Sequence, residues 1–417
     1  MQTEIYVYID LEGTPVQVGQ LWMRSKGNRQ SASFQYSGEW LSHPRGFALA
    51  PDLPLTAGDF HTKPNQLLFG AIGDSAPDRW GRVLMQRAEA RRATLAQTAP
   101  RTLMEADYLL MVNDFSRQGA LRFANTTGGP FLATDGTIRV PPLIELPQLL
   151  GASDRYLADA EGDEDLRMLL APGSSLGGAR PKASVVDQDQ TLAIAKFPRH
   201  DDDFNISRWE ALALRLAHRA GIPVPEFRLE SVAGRDVLIL KRFDRHGTQR
   251  IPMLSAMSMI GAQDNEAHNY LEILDAIRQY GNNAQADAAQ LWRRMVFNIL
   301  ISNTDDHLRN HAFMLHSPEG WSLSPAYDLN PVPVEVKARN HALALDEHTT
   351  QSSLAVALSV AERFGLNLQD AKAIAGDVGR VTQTWRQVAE ATGIRGNEIN
   401  RMASAFEHAD LKQALAS

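Results

Sequence analysis

The chain is 417 residues long, 44% hydrophobic, 22% charged and 7% aromatic, a profile that excludes disorder for its bulk and predicts one to three domains around a sizeable core. Its 42 Lys and Arg against 49 Asp and Glu leave a formal charge of −7, so attraction to nucleic acid or an anionic membrane would need a local patch. Cysteine is absent, which removes disulfides, thiol nucleophiles, iron–sulfur clusters and cysteine-ligated zinc.

The opening residues lack a basic region followed by a long apolar run, and no segment approaches the ~18 consecutive apolar residues of a membrane helix. The expectation is a soluble, cytoplasmic protein with no membrane partner. Ile5 to Ile9 alternate, and Val16, Val18 and Leu21 follow the turn Glu12-Gly13-Thr14-Pro15, which predicts a hairpin. Asp74 to Arg82 reads as a helix start and Glu105 to Val112 as a second helix. A loop-rich stretch from Asn125 to Pro147 suggests a boundary near residue 150. Beyond it come strand-like runs at Ala183–Val186 and Leu192–Lys196, and a helix from Ser207 to Ala220 stopped by Gly221 and Pro223. A second strand pair covers Phe227–Val232 and Val237–Leu240. The rest reads as helical, with one hairpin between His311 and Asp328 and two or three amphipathic helices in the last seventy or so residues. This α+β order is that of a two-lobed protein-kinase-like core behind an N-terminal α+β subdomain. The expected parts are 1–150, 151–247 (an N-lobe with a phosphate loop) and 248–417 (a helical C-lobe with a catalytic loop).

The kinase template can be tested residue by residue. A catalytic loop needs an aspartate to accept the substrate hydroxyl proton and, four residues further, an asparagine to hold a metal. Asp305 and Asn310 have that spacing; alone the pair is weak, because a polar helix-to-strand loop explains it equally well. After the hairpin, Asp328 stands where a kinase places its Mg²⁺-chelating aspartate, with Tyr327 beside it. Upstream, Ala193-Ile194-Ala195-Lys196 resembles the strand that presents a phosphate-pairing lysine. Glu210 is either the partner of Lys196 or one half of a capping box with Ser207. The glycine-rich run Pro172 to Lys182 would let backbone N–H groups approach phosphates. It is neither a Walker A loop, since Ala179 replaces the lysine, nor an ordinary kinase glycine loop. Each signal is weak, but five of them fall in the required chain order.

Rival readings carry less. His307 and His311 could share a zinc ion on a helix, but Leu308 stands where a zincin needs its glutamate. Asp201-Asp202-Asp203 reads as an acidic helix N-terminus rather than a cation site. Arg82, Arg87, Arg91 and Arg92 lie at helical spacing and read as a solvated face rather than a nucleic-acid contact.

Together these residues resemble the HipA-type serine/threonine kinases, toxins of bacterial type II toxin–antitoxin modules. The resemblance rests on Pro77–Arg82, Ser175–Lys182, Ala195–Pro198, Arg242–Arg245, Thr304–His307 with Asn310, and Tyr327-Asp328. It implies ATP and Mg²⁺ as cofactors, Asp305 as catalytic base, and Asn310 and Asp328 as metal ligands. Lys196 would bind the ATP phosphates, with Gly177, Gly178, Ala179, Arg180 and Lys182 of the phosphate loop, and with His307 and Tyr327 nearby. Leu238 to Phe243, including Lys241, would form an adenine-reading hinge. Ser175, or its neighbour Ser174, would be an inhibitory autophosphorylation site. Implied partners are a HipB-like helix-turn-helix antitoxin, operator DNA mainly through that antitoxin, and a protein substrate of translation such as an aminoacyl-tRNA synthetase. The alternatives are a catalytically silent kinase-like binding module and a small-molecule kinase.

Overall fold

The computed structural model describes residues 2–27, 29–132, 140–170, 180–264 and 266–417. Its mixed α and β elements divide into two units, Met1–His200 with Glu230–Gln263, and Asp201–Leu229 with Asp264–Ser417.

The first unit opens with β1 (Gln2–Leu11) and β2 (Thr14–Lys26). Glu12 and Gly13 join them, both at positive φ, 56° and 86°, which gives a two-residue turn whose twist matches the strands. Pro15, expected in the turn, instead pairs with Asp10 as part of β2. β3 (Arg29–Tyr36) and β4 (Asp59–His61) extend the sheet outward, and β5 (Leu121–Ala124) returns to pair with β1, giving the order β4-β3-β2-β1-β5. Gly19 lies where β2 and β3 approach most closely. A Cβ there would sit 2.2 Å from the Gln35 carbonyl oxygen, so a side chain is excluded.

A second sheet holds β6 (Lys182–Val186), β7 (Leu192–Lys196), β8 (Phe227–Val232) and β9 (Arg235–Lys241) in the order β6-β7-β9-β8. All four are legible in the sequence. Ala183, Val185, Ala193 and Ala195 pack with Trp80, Leu84, Leu149, Leu150 and Leu166 in one core cluster. Those partners come from the helices Arg79–Leu95, Leu146–Leu157 and Asp163–Leu170. Each large apolar side chain buried this way contributes ~1.5–3 kcal/mol. Strand alternation then sets Ile194 and Lys196 on the face of β7 away from those helices.

The basic stripe on Arg79–Leu95 is matched by carboxylates. Arg82 meets Glu105 at 2.6 Å, Arg87 meets Asp159 at 2.8 Å and Glu161 at 3.0 Å, Arg92 meets Glu89 at 2.6 Å, and Arg91 pairs with Asp163. The expected solvated face is a row of ion pairs within the unit.

Just after β9, Arg242, Asp244 and Arg245 tie into the segment before β5. Asp244 accepts from Gly119 N at 2.8 Å, Arg242 Nε at 2.8 Å and Arg245 Nη1 at 2.8 Å. Arg242 and Arg245 also donate to the carbonyls of Ser116 and Arg117. Burial alone would raise the Asp244 carboxyl, but the two guanidinium groups more than reverse this and hold it well below the usual carboxylate range.

In the second unit, the helix Ala284–Leu300 is buried on nearly all sides, through Leu291, Trp292, Met295, Val296, Phe297, Ile299 and Leu300. A helix apolar all round belongs at the centre of a bundle. Around it pack the helices Tyr270–Tyr280, Leu354–Val360, Leu368–Thr382 and Ala409–Leu415, together with the strand Gly320–Leu323 of the expected hairpin, whose partner is Ala312–Ser317. The last seventy residues hold six α-helices rather than two or three, most of them short and the longest Leu368–Thr382. Helix Ile206–Arg219 is capped by Asn205, whose side chain accepts from Arg208 N at 3.1 Å. The Ser207–Glu210 capping box is therefore not formed, because the helix starts earlier and both residues are already inside it. Trp209 of this helix donates to Glu398 at 2.6 Å and sits beside Trp385, which stacks on Phe406 with ring centres 4.5 Å apart.

Candidate active site

The loop that follows helix Ala284–Leu300 is fixed on several sides. Ser302 turns the chain at φ 52°. Asn303 donates to Asn298 Oδ1 at 3.0 Å, and its own Oδ1 accepts from Asn330 N at 3.3 Å. The Thr304 carbonyl accepts from Ala342 N at 3.0 Å. On this turn the two adjacent aspartates differ sharply in exposure. The Asp305 side chain is 74% exposed, whereas that of Asp306 is 3% exposed.

Asp306 is enclosed by partners. His311 Nε2 donates to it at 2.9 Å and Tyr270 donates its hydroxyl, while Asn298 Nδ2 donates to that hydroxyl oxygen at 3.1 Å. Burial would raise the Asp306 carboxyl, but His311, the Tyr270 hydroxyl and His307 together outweigh it and hold the carboxyl below its ordinary value. Tyr270 is pushed well up by burial and by the same carboxylate. Asp306 is thus an internal anchor, and Asp305 is the carboxylate presented to solvent.

Asn310 ends a short turn, Leu308–Asn310. It donates from Nδ2 to the Asp305 carbonyl at 3.3 Å, while its Oδ1 is buried with no hydrogen-bond partner among the described residues. Such an atom costs free energy unless a further partner is supplied. Asp328 holds a left-handed backbone at φ 59°, a conformation that Asp tolerates better than most residues and that concentrates at functional sites. Its segment runs beside the loop. The Tyr327 hydroxyl donates to the Arg309 carbonyl at 2.8 Å, Val332 N donates to the Ser302 carbonyl at 3.2 Å, and Asn330 donates to Asp328 Oδ1 at 3.2 Å. Arg294, Asn298, Asp306, Asn310, His311 and Tyr327 line a cavity of about 10 Å³, room for one water.

Asp305, His307, Asn310, Tyr327 and Asp328 therefore belong to one loop cluster of the second unit. The zinc reading fails, because His307 and His311 flank a 3-10 turn and His311 is committed to Asp306. Among the described residues no group of three or more His, Cys, Asp or Glu is placed to hold a metal. Magnesium needs fewer protein ligands, since it keeps waters and takes substrate phosphates alongside one or two carboxylates. The bare Asn310 Oδ1 with the Asp328 carboxylate fits that modest requirement.

Lys196, Arg180, Lys182, Lys241 and Phe243 lie in the first unit. Lys196 ends β7, half-buried. Lys182 is occupied: its ammonium meets buried Asp78 at 2.9 Å, and its carbonyl accepts from the Trp80 indole at 3.0 Å. This departs from its expected place at a phosphate, since a buried ion pair is costly to break. Burial raises the Asp78 carboxyl, Lys182 opposing it. Lys241 is the last residue of β9 and lies 3.7 Å from Asp189 in the β6–β7 turn, so the strand stops short of Phe243. Glu210 is buried in helix Ile206–Arg219 of the second unit. Gly177, Gly178, Ala179, Ser174 and Ser175 lie outside the described residues.

Sequence reasoning missed Tyr270, His311 as a carboxylate partner, and the buried Arg294. Tyr270 stands 36 positions before Asp306, and no local spacing signals such a contact.

Family comparison bears on the chain as a whole. The HipA-like C-terminal domain matches residues 174–385, half of the chain, and the HipA N-terminal domain matches residues 9–106. The chain belongs to the HipA family. Among HipA relatives, a Haemophilus influenzae protein with the provisional name of kinase is 28% identical over 188 residues, covering 39% of this chain and 54% of that protein. The chain thus spans about half the length of that relative. Y4mE of Sinorhizobium fredii, also provisionally named a kinase, is 25% identical over 71% of each chain. In structure, the HipA of a Shewanella oneidensis toxin–antitoxin complex with HipB and operator DNA superposes with a TM-score of 0.68 at 17% identity, covering 99% of this chain and 96% of that one. At that identity the likeness establishes the HipA fold.

Proposed function

We propose that this HipA-family chain is an ATP- and Mg²⁺-dependent kinase that phosphorylates serine or threonine hydroxyls on a protein. The observation that carries the reading is the division of labour between adjacent carboxylates: Asp306 is locked inside by His311 and Tyr270, and Asp305 is turned out to solvent beside Asn310. Asp305 would accept the proton of the acceptor hydroxyl. Asn310 and Asp328 would hold Mg²⁺, which when bound neutralises phosphate charge. Lys196, with Glu210 as its partner and Arg180 nearby, would bind the nucleotide phosphates, His307 and Tyr327 would lie beside them, and Lys241 to Phe243 would read the adenine. Phosphoryl transfer asks little covalent chemistry of the protein, so rate comes from positioning and charge compensation.

The wider reading is a toxin restrained by a HipB-like helix-turn-helix antitoxin that reaches operator DNA, with autophosphorylation of Ser175 as a second brake. Its protein target would belong to translation, an aminoacyl-tRNA synthetase being the leading case. The crystallised Shewanella oneidensis assembly supports the antitoxin and DNA partners by analogy. No helix of the described residues is long and apolar enough to cross a membrane.

The experiment is incubation of the purified chain with γ-labelled ATP, Mg²⁺ and a cell lysate, followed by mass spectrometry of labelled proteins. Phosphoserine or phosphothreonine on a lysate protein, and on Ser175 of the chain itself, is the expected result. Tight ATP binding with no labelled protein would replace this reading with a silent binding module; a labelled small molecule would replace it with a metabolite kinase.

A further inference from the structure

The segment after Asp328 brings a second charged group to the base. Lys337 follows Asp328 by nine positions, and its ammonium lies 3.8 Å from Asp305 Oδ1 and 3.4 Å from the Thr304 carbonyl. The backbone that carries it is pinned. Val332 N donates to the Ser302 carbonyl at 3.2 Å, Val334 N to Ser404 Oγ at 3.1 Å, and Lys337 N to the Pro333 carbonyl at 3.2 Å. Two residues on, Arg339 is fixed to Asp410 at 2.7 Å.

The pair has little to offer stability, because both side chains are well exposed, 45% and 74%, and exposed ion pairs are nearly neutral once side-chain entropy is counted. Neighbouring cations have other commitments. Arg309 pairs with Asp264, Arg339 with Asp410, and buried Arg294 donates to the Ser324 carbonyl. Lys337 is the cation whose carboxylate partner, among the described residues, is the candidate base itself.

We infer that Lys337 is a catalytic residue that contacts the phosphoryl group in transit at Asp305. The inference rests on the kinase reading above. In the step concerned, the acceptor hydroxyl oxygen bonds to the γ-phosphorus and its proton passes to Asp305. The bond from the γ-phosphorus to the β–γ bridging oxygen breaks, and ADP leaves with that electron pair. Negative charge spreads over the three equatorial oxygens of the γ-group meanwhile, and a preplaced ammonium beside the base stabilises it there rather than in the ground state.

The test uses the full chain, with wild type, Lys337→Ala and Lys337→Arg compared in two measurements. The first is the rate of label transfer from γ-labelled ATP at saturating nucleotide. The second is calorimetric binding of Mg·ADP with and without aluminium fluoride, which mimics the group in transit. The inference expects Lys337→Ala to transfer about 10²-fold more slowly, to bind Mg·ADP as the wild type does, and to lose at least about tenfold in the affinity gained from fluoride. Lys337→Arg, keeping the charge, should recover much of both. A Lys337→Ala rate within about threefold of wild type overturns the inference and leaves the kinase reading intact. Equal loss of Mg·ADP binding with and without fluoride also overturns it, since that marks a structural role. A wild type that transfers no label to any protein overturns the kinase reading, and this inference with it.

Discussion

At the scale of the residue, the informative contrast is between two neighbours of identical chemistry. Asp305 and Asp306 are indistinguishable in type, and spacing to Asn310 alone favours the first. Burial separates them: Asp306 satisfies a tyrosine and a histidine in the interior, while Asp305 is largely exposed. Two outcomes follow for isosteric amides. Asp305→Asn should lower the transfer rate by about 10²–10⁴-fold with an unchanged thermal midpoint, since an exposed carboxylate holds nothing else in place. Asp306→Asn should lower the midpoint clearly, because a neutral amide oxygen accepts the Tyr270 and His311 donors without the charge that strengthens both bonds to the carboxylate; urea unfolding of the two variants side by side checks the difference. Asn310 was legible from spacing, and its unpartnered Oδ1 gives that spacing a physical reason. Lys182 was read as a phosphate ligand because it closes a glycine-rich run, and its commitment to Asp78, 104 positions away, leaves no mark on local sequence.

Elements were legible where a period-two or helical pattern was strong. The four strands of the second sheet and the helix Ile206–Arg219 stand close to where alternation and the apolar stripe place them. Boundaries were less so. Asn205 caps the helix ahead of Ser207, and Pro15 sits within β2, because Glu12 and Gly13 suffice for the turn. The C-terminal helices were under-counted, since short helices joined by turns share one amphipathic texture. Arg242-Phe243-Asp244-Arg245 shows why a motif can be recognisable without being chemical. Its carboxylate gathers two guanidinium groups and the Gly119 N–H, joining the chain after β9 to the chain before β5. Asp244→Ala would strand both guanidiniums and should cost about 3–5 kcal/mol of stability, measured by equilibrium denaturation at neutral pH; a loss below about 1 kcal/mol would contradict this role. The same carboxylate weakens in acid with a definite sign. Its folded pKa lies below its unfolded one, so its contribution is complete above the ordinary carboxylate range and is lost as pH falls through and below that range.

For the molecule as a whole, the order of predicted strands and helices pointed to a mixed fold, and the chain order of weak motifs pointed to the family. What sequence could not carry is the set of long-range contacts that ready each loop residue for use. Protonation reaches stability through two histidines of the second unit. Burial lowers both His341 and His408 to about 4, so each stays neutral in the folded chain while its unfolded counterpart takes up a proton near pH 6.5. Stability should therefore fall between about pH 6.5 and 4, by on the order of 3 kcal/mol for each histidine. Urea midpoints across that range check it, and His341→Gln should flatten the slope.

The central claim is that the exposed carboxylate at 305 takes the acceptor proton, and the most direct measurement is the pre-steady-state transfer of label from Mg·ATP by the wild type and Asp305→Asn, with nucleotide affinity measured in parallel. Rapid transfer by the wild type is expected, with a variant that binds Mg·ATP with similar affinity yet transfers at least about 10²-fold more slowly. Transfer by Asp305→Asn at a rate close to that of the wild type would contradict it.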